Sequence, residues 1–169
     1  TVLALVLVWF FAPQLGLRAR TPAKAAPQPS ASAQAVLNLP PNASSIDRLK
    51  LLAQSGDASA QFSLGIRYAT GEDVPQDYTQ AAHWFSLAAE QGNVLAQSNL
   101  AAYYWAGRGV SQDMSKAYFW AVLAQAGGDE PSRVRLSYLA SRMSRPQILT
   151  AEQQANDWIR NHRTRTAQR

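Results

Sequence analysis

The amino-acid sequence points to an all-α protein, a short α/α solenoid of antiparallel helix pairs. Three features lead there. The stretch 45–165 matches itself at an offset of 36 residues. Inside each copy, small and apolar side chains recur at helical spacing. Each copy also places glycine where a helix must stop and Asp or Asn where the next must start. Internal repetition at such a period is the signature of stacked helical units.

The chain opens on residues 1–17, TVLALVLVWFFAPQLGL, which carry no charge. Seventeen residues is at the short limit for a bilayer span, and Trp9, Phe10 and Phe11 suit a bilayer interface. Two readings stand: a retained membrane anchor, or a signal-peptide core with Ala31-Ser32-Ala33 or Ala23-Lys24-Ala25 as cleavage site. Arg18 and Arg20 follow the apolar run directly and both cleavage candidates lie far from it, which favours the anchor. Residues 18–44 are Ala, Pro, Ser and Gln with almost no large apolar side chain, a composition that reads as a disordered linker.

The folded part is expected over 45–165. Residues 45–55, SIDRLKLLAQS, form a lone capping helix with Ser45 as its candidate cap and Ile46, Leu49 and Leu52 on its apolar face. Two repeats follow at 57–92 and 93–128. Ala60, Gln61, Leu64 and Tyr68 return as Ala96, Gln97, Leu100 and Tyr104. Gly71, Val74, Gln76 and Asp77 return as Gly107, Val110, Gln112 and Asp113, and Ala81, Trp84 and Ala88 as Ala117, Trp120 and Ala124. Gly56, Gly92 and Gly128 suit the left-handed position past a helix end, and Asp57, Asn93 and Asp129 then cap the next helix. The first helix of each pair, helix A, is expected at 58–70 and 94–106, and the second, helix B, at 78–91 and 114–127. Ala60, Leu64 and Tyr68 make one buried stripe. Gly65 and its neighbours let helices approach closely.

A third unit is degenerate. Residues 129–143 keep Leu136 in the place of Leu64 and Leu100. Pro146 breaks that helix, and Thr150 to Gln153 suggests a capping box for a C-terminal helix at 150–162 carrying Ala155, Trp158 and Ile159. Residues 166–169 form a basic tail.

The pattern A-Q-x-x-L-G-x-x-Y…G-x-x-V-x-Q-D-Y-x-x-A-x-x-W…A-A-x-x-G, spanning Ala60 to Gly92, resembles the Sel-1-like repeat, a relative of the tetratricopeptide repeat. The copy from Ala96 to Gly128 departs at Ala101 and Met114, which replace Gly65 and Tyr78. The resemblance covers roughly 53–140. It implies a right-handed superhelix whose A helices line a concave face that binds proteins or peptides. It also implies a bacterial chain that is exported or tethered in the cell envelope, inner-membrane-anchored and facing the periplasm in the tethered case. It implies no reaction, because the signature consists of packing residues.

On helix A the stripe beside Ala60, Leu64 and Tyr68 would face that surface. It gives Phe62, Ile66 and Ala69, then Ser98, Ala102 and Trp105, then Val134 and Tyr138. Phe62, Ile66, Ser98, Trp105 and Tyr138 are therefore the candidate partner-binding residues. Packing against the next helix is the competing use, above all for Phe62 and Ile66. Trp84 and Trp120 recur with the repeat and read as core.

No chemistry-bearing constellation emerges. The chain has no cysteine and two histidines, His83 and His162, neither with a second ligand at metal spacing. Glu72, Asp73 and Asp77 lack the alternating oxygen pattern of a cation loop, and Gly107-Arg108-Gly109 lacks the remainder of a phosphate loop. No catalytic, cofactor-binding or metal site is expected. The net charge of +5 comes from the two ends: residues 45–128 hold five bases against seven acids, while 129–169 hold eight against four. This excludes a basic nucleic-acid face on the repeats themselves. Arg160, Arg163, Arg165 and Arg169 could instead meet anionic lipid or an acidic partner. The expected chain is a monomeric, non-catalytic scaffold or adaptor for a protein or peptide, touching the membrane through residues 1–17 if these are retained. The alternative is an accessory subunit of envelope glycan or secretion machinery with one dedicated partner.

Overall fold

In the computed structural model, residue 40 and residues 42–167 are described; the apolar segment 1–17, nearly all of the linker, and Arg169 lie outside them. The described residues form helices α1 (Ser45–Gln54), α2 (Ala58–Thr70), α3 (Tyr78–Glu90), α4 (Val94–Ala106), α5 (Met114–Ala126), α6 (Glu130–Ala140) and α7 (Arg145–Ala167). No strand occurs among them. Helices α2, α4 and α6 are the A helices and α3 and α5 the B helices; α1 precedes them in the place of a B helix, and α7 follows, packed on α5.

The boundaries follow from the caps. Asp57, Asn93 and Asp129 accept the backbone N–H of Ala60, Ala96 and Ser132 at 2.7, 2.9 and 2.9 Å. Asp77 and Asp113 do the same for α3 and α5. Each such cap stabilises its helix by about 1 kcal/mol. The preceding helix ends with Gly56, Gly92 or Gly128 at φ 95°, 89° and 96°. The N–H of the following residue then reaches back to Leu52, Ala88 or Ala124 O. That is the Schellman closure, and it lets a helix stop and the next begin within three residues.

Two expected caps are corrected. The α1 cap is Ser44, not Ser45: its Oγ accepts from Asp47 N and the Asp47 carboxylate returns to Ser44 N. Thr150 lies inside α7, where its hydroxyl donates to Pro146 O. The last helix starts five residues earlier than expected, at Arg145. The Gln147 carboxamide accepts from Ser144 N and Oγ there, and Pro146 sits in the first turn, where a missing N–H costs nothing. Pro146 therefore opens α7 rather than merely ending α6.

Packing explains the differences between copies. Leu64, Phe85, Leu100 and Leu139 are fully buried. An added Cβ on Gly65 would meet the Phe85 ring at 2.7 Å. One repeat later the same two positions hold Ala101 and Ala121, both buried; the glycine accompanies the phenylalanine. Gly109 (φ 68°) occupies the place of Asp73 (φ 64°). A Cβ on Gly109 would lie 2.1 Å from Tyr78 O, because the second A–B loop packs on the start of α3. In the first loop Asp73 keeps its side chain, facing Arg67 at 3.4 Å. Gln61 and Gln97 are buried, and each donates to a carbonyl of the preceding helix, Ala53 O and Ala89 O, both at 3.1 Å. The repeated glutamine thus adds a second donor to a helix-end carbonyl that already accepts the N–H of Gly56 or Gly92, tying each A helix to the end of the helix before it.

In the third unit, α7 packs mainly against α5 and does not pair with α6 as α3 and α5 pair with their A helices. Ala151 and Ala155 are buried as Ala117 and Ala121 are, and Tyr118 Oη donates to Glu152 at 3.0 Å. Trp158 stacks on His162 at 4.4 Å.

Candidate functional site: the A-helix face

The A helices place the predicted side chains unequally. Phe62 and Ile66 are half-buried against the main core, Phe62 in a tilted ring contact with Phe85 at 5.8 Å. Ser98 is only 9% exposed. It lies in the seam between α4 and α6, where its hydroxyl donates to Asp129 Oδ2 at 2.9 Å. Trp105 and Tyr138 remain open, at 39% and 40%. Their rings meet edge to face at 5.6 Å, bridging α4 and α6. The Arg142 guanidinium lies 5.0 Å over the Tyr138 ring. Leu95 and Val134 add exposed apolar surface on the same two helices.

About two turns N-terminal to this pair, between the same two helices, lies a polar clasp. Ser132, fully buried, donates its N–H and hydroxyl to Asp129 Oδ2. Arg135 Nη1 donates to Ser98 O at 3.2 Å and to Ser98 Oγ at 3.3 Å. Burial raises the Asp129 pKa, but the hydrogen bonds from Ser132 and Ser98 and the Arg135 charge outweigh it and hold the carboxyl below its ordinary value. Burial also lowers the pKa of Arg135, opposed by the charge of Asp129. The clasp joins α6 to α4, the two helices that carry Trp105 and Tyr138. Asp129 was expected as a cap alone. The signal for the rest was present in the repeat: Ser132 and Arg135 stand where the regular copies have Ala60 or Ala96 and Ser63 or Asn99.

The B-helix side carries a wide, shallow depression of about 570 Å³ bordered by Glu90, Tyr104, Lys116, Phe119, Trp120 and Gln154. Lys116 there pairs with Asp113 at 3.8 Å and lies 5.2 Å over Tyr104. Trp84 packs with α1 and α2, and Trp120 is buried, as expected of core positions. Among the described residues no group of three His, Asp or Glu side chains is placed to hold a metal ion. None of the described helices is long and apolar enough to cross a membrane.

The stacked helix pairs, their caps and their packing glycines define a Sel1-type repeat. The Sel1 repeat profile matches residues 58–93 and 94–129, and the chain belongs to the Sel1 repeat family. A Sel1 repeat protein from Oxalobacter formigenes is 38% identical, with a TM-score of 0.53 over 54% of this chain and 69% of that one. A protective antigen present in uropathogenic Escherichia coli strains, displaying an SLR fold, is 29% identical with a TM-score of 0.65 over 69% of this chain. The secretory immunoglobulin A-binding protein EsiB of Escherichia coli O6:H1 (strain CFT073) is 46% identical over 43 residues, a quarter of this chain. The chain spans 25% of the antigen's length and 9% of EsiB's. Repeats of this family are generally protein-interaction modules on a non-catalytic scaffold.

Proposed function

We propose that this chain is a non-catalytic scaffold or adaptor of the cell envelope, tethered or exported through its N-terminal apolar segment. It binds a protein or peptide segment on the A-helix face, which we read as concave. The observation that carries this reading is the Trp105–Tyr138 pair, two exposed aromatics from successive units held edge to face with Arg142 alongside. Large aromatics that pack on each other and still face solvent are the side chains that dominate interface energetics. Their contact with each other holds them before binding, so less ordering entropy is lost.

Proximity capture in the native cell, comparing wild type with Trp105→Ala/Tyr138→Ala, tests this. Loss of captured partners by a variant with an unchanged melting curve supports the site, and loss of a single partner would mark a dedicated accessory subunit. An unchanged partner set would remove the A-helix face as the binding surface.

A further inference from the structure

The depression on the B-helix side combines a repeated frame with residues that do not repeat. Tyr104, Asp113 and Trp120 return from Tyr68, Asp77 and Trp84. The side chains around them differ from the earlier copy: Glu90, Lys116 and Phe119 stand where the register has Gln54, Gln80 and His83. Tyr104, Phe119 and Trp120 make the lining aromatic. Glu90, Lys116 and Gln154 border it and are exposed. Gln154 comes from α7, which packs on α5 and not on α6, and so gives the depression a wall from outside the two regular repeats.

The charges favour a neutral ligand. Lys116 Nζ already faces Asp113 at 3.8 Å and the Tyr104 ring at 5.2 Å. An anion would compete with Asp113 and meet Glu90; a cation would meet Lys116. A neutral ligand rich in hydroxyls avoids both conflicts. It can donate to Glu90 and Asp113 and accept from Lys116 and the Gln154 carboxamide. Its ring C–H groups can lie against aromatic faces, which carry negative charge density. The volume of about 570 Å³ is that of a small-ligand site. We propose that this depression binds a short neutral glycan, with Tyr104 and Phe119 against the apolar faces of its rings and Glu90, Lys116 and Gln154 on its hydroxyls. The site is distinct from the Trp105–Tyr138 surface and does not depend on it.

Saturation-transfer NMR on the full chain, in a detergent without a sugar headgroup, tests this. Cellotriose, chitotriose and maltotriose are the probes; triglutamate and trilysine are the charged controls. An open site of this kind should bind with a dissociation constant on the order of 1 mM, so each probe is raised to about 10 mM. At least one trisaccharide should receive saturation and neither charged peptide should. Glu90→Gln/Lys116→Gln/Phe119→His writes the residues of the earlier register into this one and should weaken binding about tenfold or more. Gln154→Ala, at an exposed position, should weaken it about threefold. Trp105→Ala/Tyr138→Ala should leave it unchanged. No transfer to any of the three sugars overturns the proposal, as does a charged peptide that binds equally well. Sugar binding that survives the triple change with helical circular dichroism intact also overturns it, and so does its loss in Trp105→Ala/Tyr138→Ala. If the triple variant loses helicity, Gln154→Ala decides: unchanged binding there overturns the site.

Discussion

The two regular repeats and the terminal unit share one register and use it differently. In the regular repeats, apolar side chains and glycine-cut turns join each helix to the next: Leu64 and Leu100 are buried, and Gly65 accommodates Phe85. In the terminal unit the position of Ala60 and Ala96 becomes Ser132, and a clasp of Ser98, Asp129, Ser132 and Arg135 joins α6 to α4. The position of Phe62 and Ser98 becomes Val134, which has no A helix beyond it among the described residues. A solenoid is stabilised by nearest-neighbour interfaces, so its last unit has one interface fewer. It must be held by something other than stacking. Hydrogen bonds to a partly buried carboxylate supply that hold, and they leave an aromatic surface standing free.

The sharpest way to break this comparison is in the core. Leu64→Ala and Leu100→Ala should each cost about 2–5 kcal/mol, while Leu136→Ala, nearer the surface, should fall at the low end of that range. Urea denaturation midpoints would show it, and an equal cost at all three positions would mean that the terminal unit is stacked as firmly as the others. Next comes the trade between copies. Gly65→Ala should cost about 1–3 kcal/mol by overpacking against Phe85. Gly65→Ala/Phe85→Ala gives the first repeat the residues found at Ala101 and Ala121, so its cost should be less than the two single costs added. Additive costs would refute the proposed size compensation.

The clasp gives a smaller, pH-dependent effect. Asp129→Asn should cost about 1–3 kcal/mol at neutral pH, because hydrogen bonds to a charged group are lost. The folded-state pKa of Asp129 lies below its ordinary value. Its contribution is therefore present above the unfolded value of about 4 and is lost as pH falls through the lower folded value. The gap between wild type and Asp129→Asn should narrow as the medium is acidified below about pH 4. A constant gap would show that the charge of Asp129 is not what the clasp uses. The smallest effect belongs to the surface. Trp105→Ala should change stability by no more than about 1 kcal/mol, the worth of one aromatic edge contact. A larger loss, seen as a fall in melting temperature of well over 5 °C for a domain of this size, would return Trp105 to the core.

Sequence alone determined the helices of the regular repeats, since caps, glycines and a 3.6-residue stripe are local signals and the second copy checks the first. Helices α2 and α4 match their expected spans, Ala58–Thr70 and Val94–Ala106, for that reason. Where no second copy existed, local signals misled. Thr150-Ala-Glu-Gln has the form of a capping box, yet Ser144 and Pro146 start α7 a turn and a half earlier. Candidate partner-binding residues were legible only as a stripe. Phe62, Ile66, Ser98, Trp105 and Tyr138 share one side of their helices, but periodicity gives direction around a helix axis and not distance to the next helix. Tertiary structure decided which of them are covered: Phe62 and Ile66 by the core, Ser98 by Asp129 and Arg135. Only Trp105 and Tyr138 were left open together, because exposure depends on a neighbour 30 or more residues away.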